Sequence, residues 1–293
     1  MTGIQKGSIT AEIMAIHRAT EMLFPEKERV CQDHLAIEFL SPEWVALLKD
    51  REKLIAFAIE KAQKLPGING AIVARVRFID EIVLRAVEEG LPQLVILGAG
   101  YDSRAYRIAK IKENTHVFEV DHPFTQQIKI KKMEEILGEK PGHVTFVPLE
   151  FTKDDLKICL LENGFDPAKR TLFIMEGLTF YLPAGILDAI LAFIAKGCGP
   201  HNAIAFDYLP PSVIDGTCER PEAINSRMEL EGYSEPYRFG LESDKVAAFL
   251  AERGFDLKQN VNAPDCKDLY FRGKSQQRQI TPIFWFAHAT VKP

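Results

Sequence analysis

The chain has 293 residues, 46% hydrophobic and 26% charged, the balance of an ordinary globular protein long enough for one large α/β domain. Its 36 Lys and Arg against 41 Asp and Glu leave a net charge of -5, so there is no broad basic face for nucleic acid, and small molecules or proteins are the expected partners. The 5 cysteines, Cys31, Cys159, Cys198, Cys218 and Cys266, are odd in number, far apart and without a CxxC pair, which argues against a disulfide framework or a zinc site and for a reducing cytoplasm.

The N-terminus, "MTGIQKGSITAEIMAIHRATEMLFPEKER", mixes charges through every apolar stretch and so lacks the core of a signal peptide, and no later stretch approaches the ~20 apolar residues of a membrane span. Up to residue 92 the sequence reads as helices: "TAEIMAIHRATEML", "PEWVALLKDREKLIAFAIEKAQKL" and "INGAIVARVRFIDEIVLRAVEEG" carry apolar residues at intervals of three and four. Residues 1–70 are expected to form a helical cap or lid, and 71–293 the main domain.

From residue 93 short apolar runs alternate with helical segments. The runs "QLVILG", "THVFEVD", "HVTFVPL", "RTLFIMEG" and "NAIAFDYL" are near-continuous, as in strands buried on both faces of a parallel sheet. "FDLKQNVN" and "IFWFAHATV" enclose "APDCKDLYFRGKSQQRQITP", which has no helix pattern, so these two runs are expected to pair antiparallel at one edge. The whole predicts a Rossmann-like, doubly wound, mostly parallel seven-stranded sheet. Residues 210–240, rich in Pro and Gly, form an insertion expected to shape a substrate pocket.

In such a fold ligands bind beyond the carboxyl ends of the strands. The first strand runs into Gly98, Ala99 and Gly100, in "VILGAGYDSRAYRI". A dinucleotide fingerprint would place a third glycine at Ser103, and Asp102 beside a pyrophosphate would be repelled by ~1 kcal/mol or more. Beside a cationic amino acid the same carboxylate is attractive, so the acids favour S-adenosylmethionine over a nicotinamide cofactor. The competing role for Asp102 and Ser103 is to cap the next helix. Asp121, ending "VFEVD", is placed to accept from ribose hydroxyls, with Glu119 as the alternative on the same strand face. Glu150 and Phe151 fall where adenine would lie. Glu176, ending the apolar run "TLFIM", needs a partner to offset desolvation; a cofactor ammonium would serve, and so would Arg75 or Arg104.

Together these segments resemble the leucine carboxyl methyltransferase family along nearly the whole chain. The resemblance runs through "HRATEMLFPEKERVCQDHLAIEFL", "ARVRFID", "LVILGAGYDSRAYRI", "FEVDHP", "PLEF", "FIMEGLTFYLP" and "RFGLESDKVAAFLAERGF", in that order. It implies a class I methyltransferase fold and S-adenosylmethionine as cofactor. Arg75 matches the ligand of the methionine carboxylate, Gly98 and Gly100 line the methionine moiety, and Asp121 matches the ribose acid. Glu150 stands where the family usually has aspartate beside adenine, Phe151 where leucine is common. Glu176 matches the acid facing the methionine ammonium, and Tyr181 a tyrosine near the active centre.

Methyl transfer from a sulfonium is an in-line displacement that calls for alignment and exclusion of water and for no metal. The resemblance points to an O-methyltransferase acting on a carboxyl group of a small metabolite or a protein C-terminus; a carboxylate acceptor needs no general base. Among the histidines His122 alone is placed near the predicted crevice, and Arg77 and Arg107 are expected to pair with neighbouring acids. The competing readings are a nicotinamide-dependent oxidoreductase on a similar sheet, and a catalytically silent cofactor-binding protein of the same fold.

Overall fold

The computed structural model describes residues 8–139, 141–199, 201–233 and 235–293; the first seven residues of the expected cap and residue 234 of the insertion lie outside them. α1 (Ile9–Glu21) starts at Ser8, whose side chain accepts from the Ala11 amide, and buries Ala15, Ile16 and Ala19. The next apolar stretch makes two helices. α2 (Pro42–Lys49) stops before Asp50, an extended residue whose carboxylate caps α3 (Arg51–Lys64) through the Lys53 amide at 3.1 Å. α4 (Ile68–Glu88) carries the longest buried face, from Ile68 through Val83, and lies against the sheet. The boundary expected at residue 70 falls in its first turn.

The alternation then begins where the texture of the sequence changes. β1 (Gln93–Leu97) is followed by α5 (Arg104–Arg107), α6 (Ala109–Asn114), β2 (His116–Asp121), α7 (Pro123–Leu137), β3 (Val144–Pro148), α8 (Leu156–Glu162), β4 (Thr171–Met175), α9 (Ala184–Gly197) and β5 (Ala203–Tyr208). After these come α10 (Pro211–Asp215), α11 (Pro221–Gly232), α12 (Val246–Glu252), β6 (Phe255–Asn262), α13 (Cys266–Tyr270) and β7 (Trp285–Val291). The strands form a 7-stranded sheet in the order β3-β2-β1-β4-β5-β7-β6.

β1 to β5 pair in parallel, and β7 runs antiparallel to both β5 and β6. The antiparallel pairing is thus at the expected edge, with the reversed strand one place in and β6 outermost. On β1, Leu94 and Ile96 belong to the core on one face of the sheet and Val95 and Leu97 to the core on the other. That two-sided burial is why the strand reads as a continuous apolar run instead of an alternating one.

Two segments are more helical than their composition suggests. Pro221 opens α11, since proline fits the first turn, where its missing N–H has no helical acceptor. In the 263–282 loop the Arg272 guanidinium donates to the carbonyl oxygens of Asp268, Leu269 and Phe271 at the end of α13, satisfying groups a short helix leaves open. Among the described residues no helix is long and apolar enough to cross a membrane.

Candidate active site

The chain leaves β1 for β2 on one side and returns through β4 on the other, so the crevice beyond their carboxyl ends is the switch point of the sheet. Gly98 (φ 65) and Gly100 (φ 42) take left-handed conformations there. A Cβ on Gly98 would lie 3.0 Å from Leu178 Cδ1, and one on Gly100 3.3 Å from Ala11 Cβ, so the turn and the approach of α1 both need glycine. Ala99 between them donates to the Val120 carbonyl at 3.1 Å, stitching the turn to β2. A cavity of about 560 Å³ opens from this turn and runs under α1, past the start of α4, to α11 and residues 235–238.

One wall of the cavity is dense in charge. Asp121 at the end of β2 accepts from the Gly100 amide, and from the His122 amide at 2.6 Å. Burial pushes its carboxyl up from the ordinary aspartate range, against those two amides, which favour the anion. Glu119 is taken out of contention: it lies fully buried, 2.7 Å from Lys129 Nζ. Glu176 directly follows β4, with Oε1 3.1 Å from Arg75 Nε and Oε2 2.7 Å from Arg104 Nη1, so both arginines considered from the sequence are its partners. Burial opposes its charge, yet those guanidiniums hold its carboxyl below the usual glutamate range.

Arg75 also donates from Nη1 to Asp207 at 2.6 Å and from Nη2 to the Met14 sulfur at 3.2 Å. Asp102 lies one residue before Ser103, the N-cap of α5, whose side chain makes no capping bond: Asp102 Oδ1 accepts from the Arg104 amide at 2.7 Å, and Oδ2 meets Arg104 Nη1. Burial works against its ionised form, but Arg104 and Lys129 hold its carboxyl down to about 2. Arg104 and Arg107 share Asp80, each at 2.7 Å, and Arg77 pairs with Glu81 at 3.0 Å, as expected of both Arg77 and Arg107. Phe151 lines the cavity, whereas Glu150 lies outside its wall and pairs with Lys153 at 2.6 Å.

The far end is mostly apolar and aromatic, with Ser226, Glu229 and Glu235 also in its wall. The 3-10 turn Thr179–Tyr181 sets Phe180 edge-on to Tyr237, with centroids 5.4 Å apart, and Tyr181 tilted over Tyr237 at 5.8 Å. Burial, with the neighbouring Tyr237 and Glu235, drives the Tyr181 hydroxyl well above the ordinary phenol range, so it stays protonated. Leu65, Ile68, Leu230 and Phe284 complete this end. The Arg238 amide donates to the Phe180 carbonyl at 2.7 Å, which holds the Arg238 side chain at the cavity wall.

His17 was not singled out in the sequence, because its partners are remote in the chain. It lines the cavity beside the start of α4, and its Nδ1 lies 3.0 Å from Asn69 Nδ2. Burial, then Arg75, Lys61, Arg18 and Arg278, push its pKa down to about 3, so the imidazole is neutral.

The doubly wound sheet, the left-handed glycine turn at its switch point and the acid ending β2 are those of an enzyme with an adenosine cofactor, and its relatives make it an S-adenosylmethionine-dependent methyltransferase. The sequence profile of the family described as leucine carboxyl methyltransferase matches residues 11–195, and the chain belongs to that family. A Bacillus subtilis (strain 168) protein, provisionally named S-adenosyl-L-methionine-dependent methyltransferase YktD, is 28% identical over 98% of this chain and 99% of its own. A Mycolicibacterium paratuberculosis protein given the same provisional activity is 33% identical over 68% of this chain and 63% of its own. The fold is that of a crystal structure from Thermobifida fusca, provisionally described as a methyltransferase, with a TM-score of 0.61, 14% identity and coverage of 96% of this chain and 95% of that one. Membership of this family decides the choice of class against the nicotinamide-dependent oxidoreductase.

Proposed function

We propose that the protein methylates an oxygen of its acceptor, a carboxylate of a small molecule or of a protein C-terminus, with S-adenosylmethionine as donor, in a reducing cytoplasm. The observation that carries this reading is one cavity with two unlike ends: a glycine turn with Asp121 beside it, and an apolar aromatic chamber. The donor fits the first end. The backbone of Gly98, Ala99 and Gly100 presents no large side chain there, and the partners recorded for Asp121 are backbone amides, so its carboxylate would take ribose hydroxyls. Phe151 would lie against the adenine. Glu150, outside the wall as the structure stands, would reach the adenine edge only from the rim.

Arg75 and Glu176 would take the methionine carboxylate and ammonium, exchanging part of their mutual contact for the two charges of one zwitterion. Asp102, charged and close by, adds to the negative potential that favours a cation. Tyr181 helps to position the acceptor. The donor, when bound, supplies a methyl on a sulfonium: the acceptor oxygen forms the O–C bond as the S–C bond breaks, and that bond's electron pair passes to sulfur. The protein's own work is alignment and exclusion of water by the apolar chamber. The 5 cysteines are all free, which supports the reducing compartment.

Calorimetric titration with S-adenosylhomocysteine and with NADPH, followed by transfer of labelled methyl to a panel of carboxylates, tests the proposal. Binding of S-adenosylhomocysteine and base-labile label on a carboxylate are expected. Heat from NADPH alone would overturn the cofactor; binding without transfer to any component of the panel or of a metabolite extract would favour the silent binding protein.

A further inference from the structure

His17 is the end of a hydrogen-bonded chain that fixes which of its nitrogens carries the proton. Glu21, one helical turn further along α1, accepts from Arg278 twice, Oε1 from Nη1 at 3.0 Å and Oε2 from Nη2 at 2.8 Å. Arg278 Nη2 also donates to Asn69 Oδ1 at 2.6 Å. A guanidinium can only donate, so the oxygen of the Asn69 amide must face Arg278 and its NH2 must face His17. That NH2 can only donate in turn, so His17 Nδ1 accepts, and the neutral ring carries its proton on Nε2. Nε2 has no partner among the described residues, and His17 lines the cavity. Burial, helped by Arg75 on α4, Lys61 on α3, Arg18 on α1 and Arg278 from the loop before β7, keeps a second proton off, although Glu21 pairs with Arg278 and Glu229 on α11 with Lys61.

His17 is also set well away from the glycine turn. Ala11 abuts Gly100, Met14 touches Arg75, and His17 lies about 9 Å along the helix axis from Ala11, beside the apolar chamber. We infer that His17 recognises the acceptor, donating from Nε2–H to a carboxylate oxygen of a molecule whose body fills the largely apolar chamber, with Asn69 and Arg278 as positioning residues. This rests on the methyltransferase reading of the cavity. It adds that the imidazole is a donor and not a general base, so the class of acceptor is one that arrives already ionised.

The test uses the full-length protein saturated with S-adenosylhomocysteine, 15N-labelled at histidine, with benzoate as probe. The expected spectrum has His17 protonated at Nε2 and bare at Nδ1, unchanged from pH 8 to pH 5, with the Nε2 resonance moved by benzoate. His17→Phe should weaken benzoate about tenfold, the loss of one hydrogen bond to a charged group, and leave S-adenosylhomocysteine affinity unchanged. His17→Gln, which keeps a donor, should recover most of that loss, as a purely packing role would not. A ring protonated at Nδ1, no benzoate binding to the loaded protein, or equal benzoate affinity in His17→Phe overturns the inference. Failure to bind S-adenosylhomocysteine would instead overturn the cofactor reading beneath it.

Discussion

The two ends of the cavity are built on opposite principles. At the donor end Arg75, Arg104, Asp102 and Glu176 form one buried ionic network, in which every guanidinium and carboxylate is also a structural partner. At the acceptor end the walls are mostly apolar and aromatic, with Glu229 and Glu235 engaged by Lys61 and Thr10, His17 is neutral, and the Arg238 side chain has no ion-pair partner among the described residues. On the proposed reading a charge at the donor end therefore holds the fold as well as the ligand, while the Arg238 side chain at the acceptor end is free to serve the ligand alone. Variants at the first end should cost stability and binding together. Variants at the second should separate them.

The largest effect is expected from Arg104→Ala, which removes a guanidinium shared by Asp80, Asp102 and Glu176. Asp102 left without an ion-pair partner, with Asp80 and Glu176 reduced to Arg107 and Arg75, should lower unfolding free energy by about 3–5 kcal/mol, read from urea denaturation. A loss below about 1 kcal/mol would break the comparison, because the donor end would then not be structural. Arg75→Ala should behave similarly, since it takes the ion-pair partner from fully buried Asp207 and one of the two from Glu176.

Asp121→Asn comes next and sharpens the contrast inside the donor end. The partners recorded for Asp121 are the amides of Gly100 and His122, outside the ionic network, so its loss should fall mainly on the ligand. S-adenosylhomocysteine affinity should drop by about 2 kcal/mol in calorimetry, with a smaller change in urea midpoint than Arg104→Ala produces. Unchanged affinity would move the ribose contact elsewhere.

The acceptor end has a pH signature. The His17 pKa falls from 6.5 in the unfolded chain to about 3 in the fold. Above pH 6.5 neither state is protonated and the group contributes nothing to the pH dependence. Between 6.5 and 3 only the unfolded chain binds the proton, so stability is lost as pH falls, by about 1.4 kcal/mol per unit. Wild type should therefore lose about 2 kcal/mol more than His17→Phe between pH 7 and pH 5 in urea denaturation. Parallel losses would mean that the imidazole is not shielded.

This contrast also explains what could be seen in the chain. The donor end is carried by short segments that end successive strands, so Gly98, Gly100, Asp121 and Glu176 follow once the strands are recognised. The acceptor end is assembled from α1, Leu65, α4, the Thr179–Tyr181 turn, α11 and residues 235–238. His17 meets Asn69 across 52 positions, and Asn69 meets Arg278 across 209, which no local spacing reveals. Glu150 shows the opposite failure. The motif draws attention to it, yet its local partner three residues on, Lys153, holds it at the rim. The prolines of 210–240 suggest a broken insertion because their helix-opening position at Pro221 is indistinguishable in composition from a breaking one.

Arg238 gives the smallest expected effect on the fold and so the cleanest separation. Its backbone is tied to Phe180, but its exposed side chain bonds to no described group, so Arg238→Ala should change unfolding free energy by less than about 0.5 kcal/mol. S-adenosylhomocysteine affinity should be equally indifferent, since the donor end holds its charges through partners of its own. Benzoate should bind the loaded variant more weakly, because the cavity wall loses a cation that no acid of the fold engages, and the difference should shrink at high salt as expected of a solvent-accessible charge. A variant that lost stability or donor affinity instead would show that Arg238 belongs to the ionic network, and the division of the cavity into a structural end and a free end would fail at that residue.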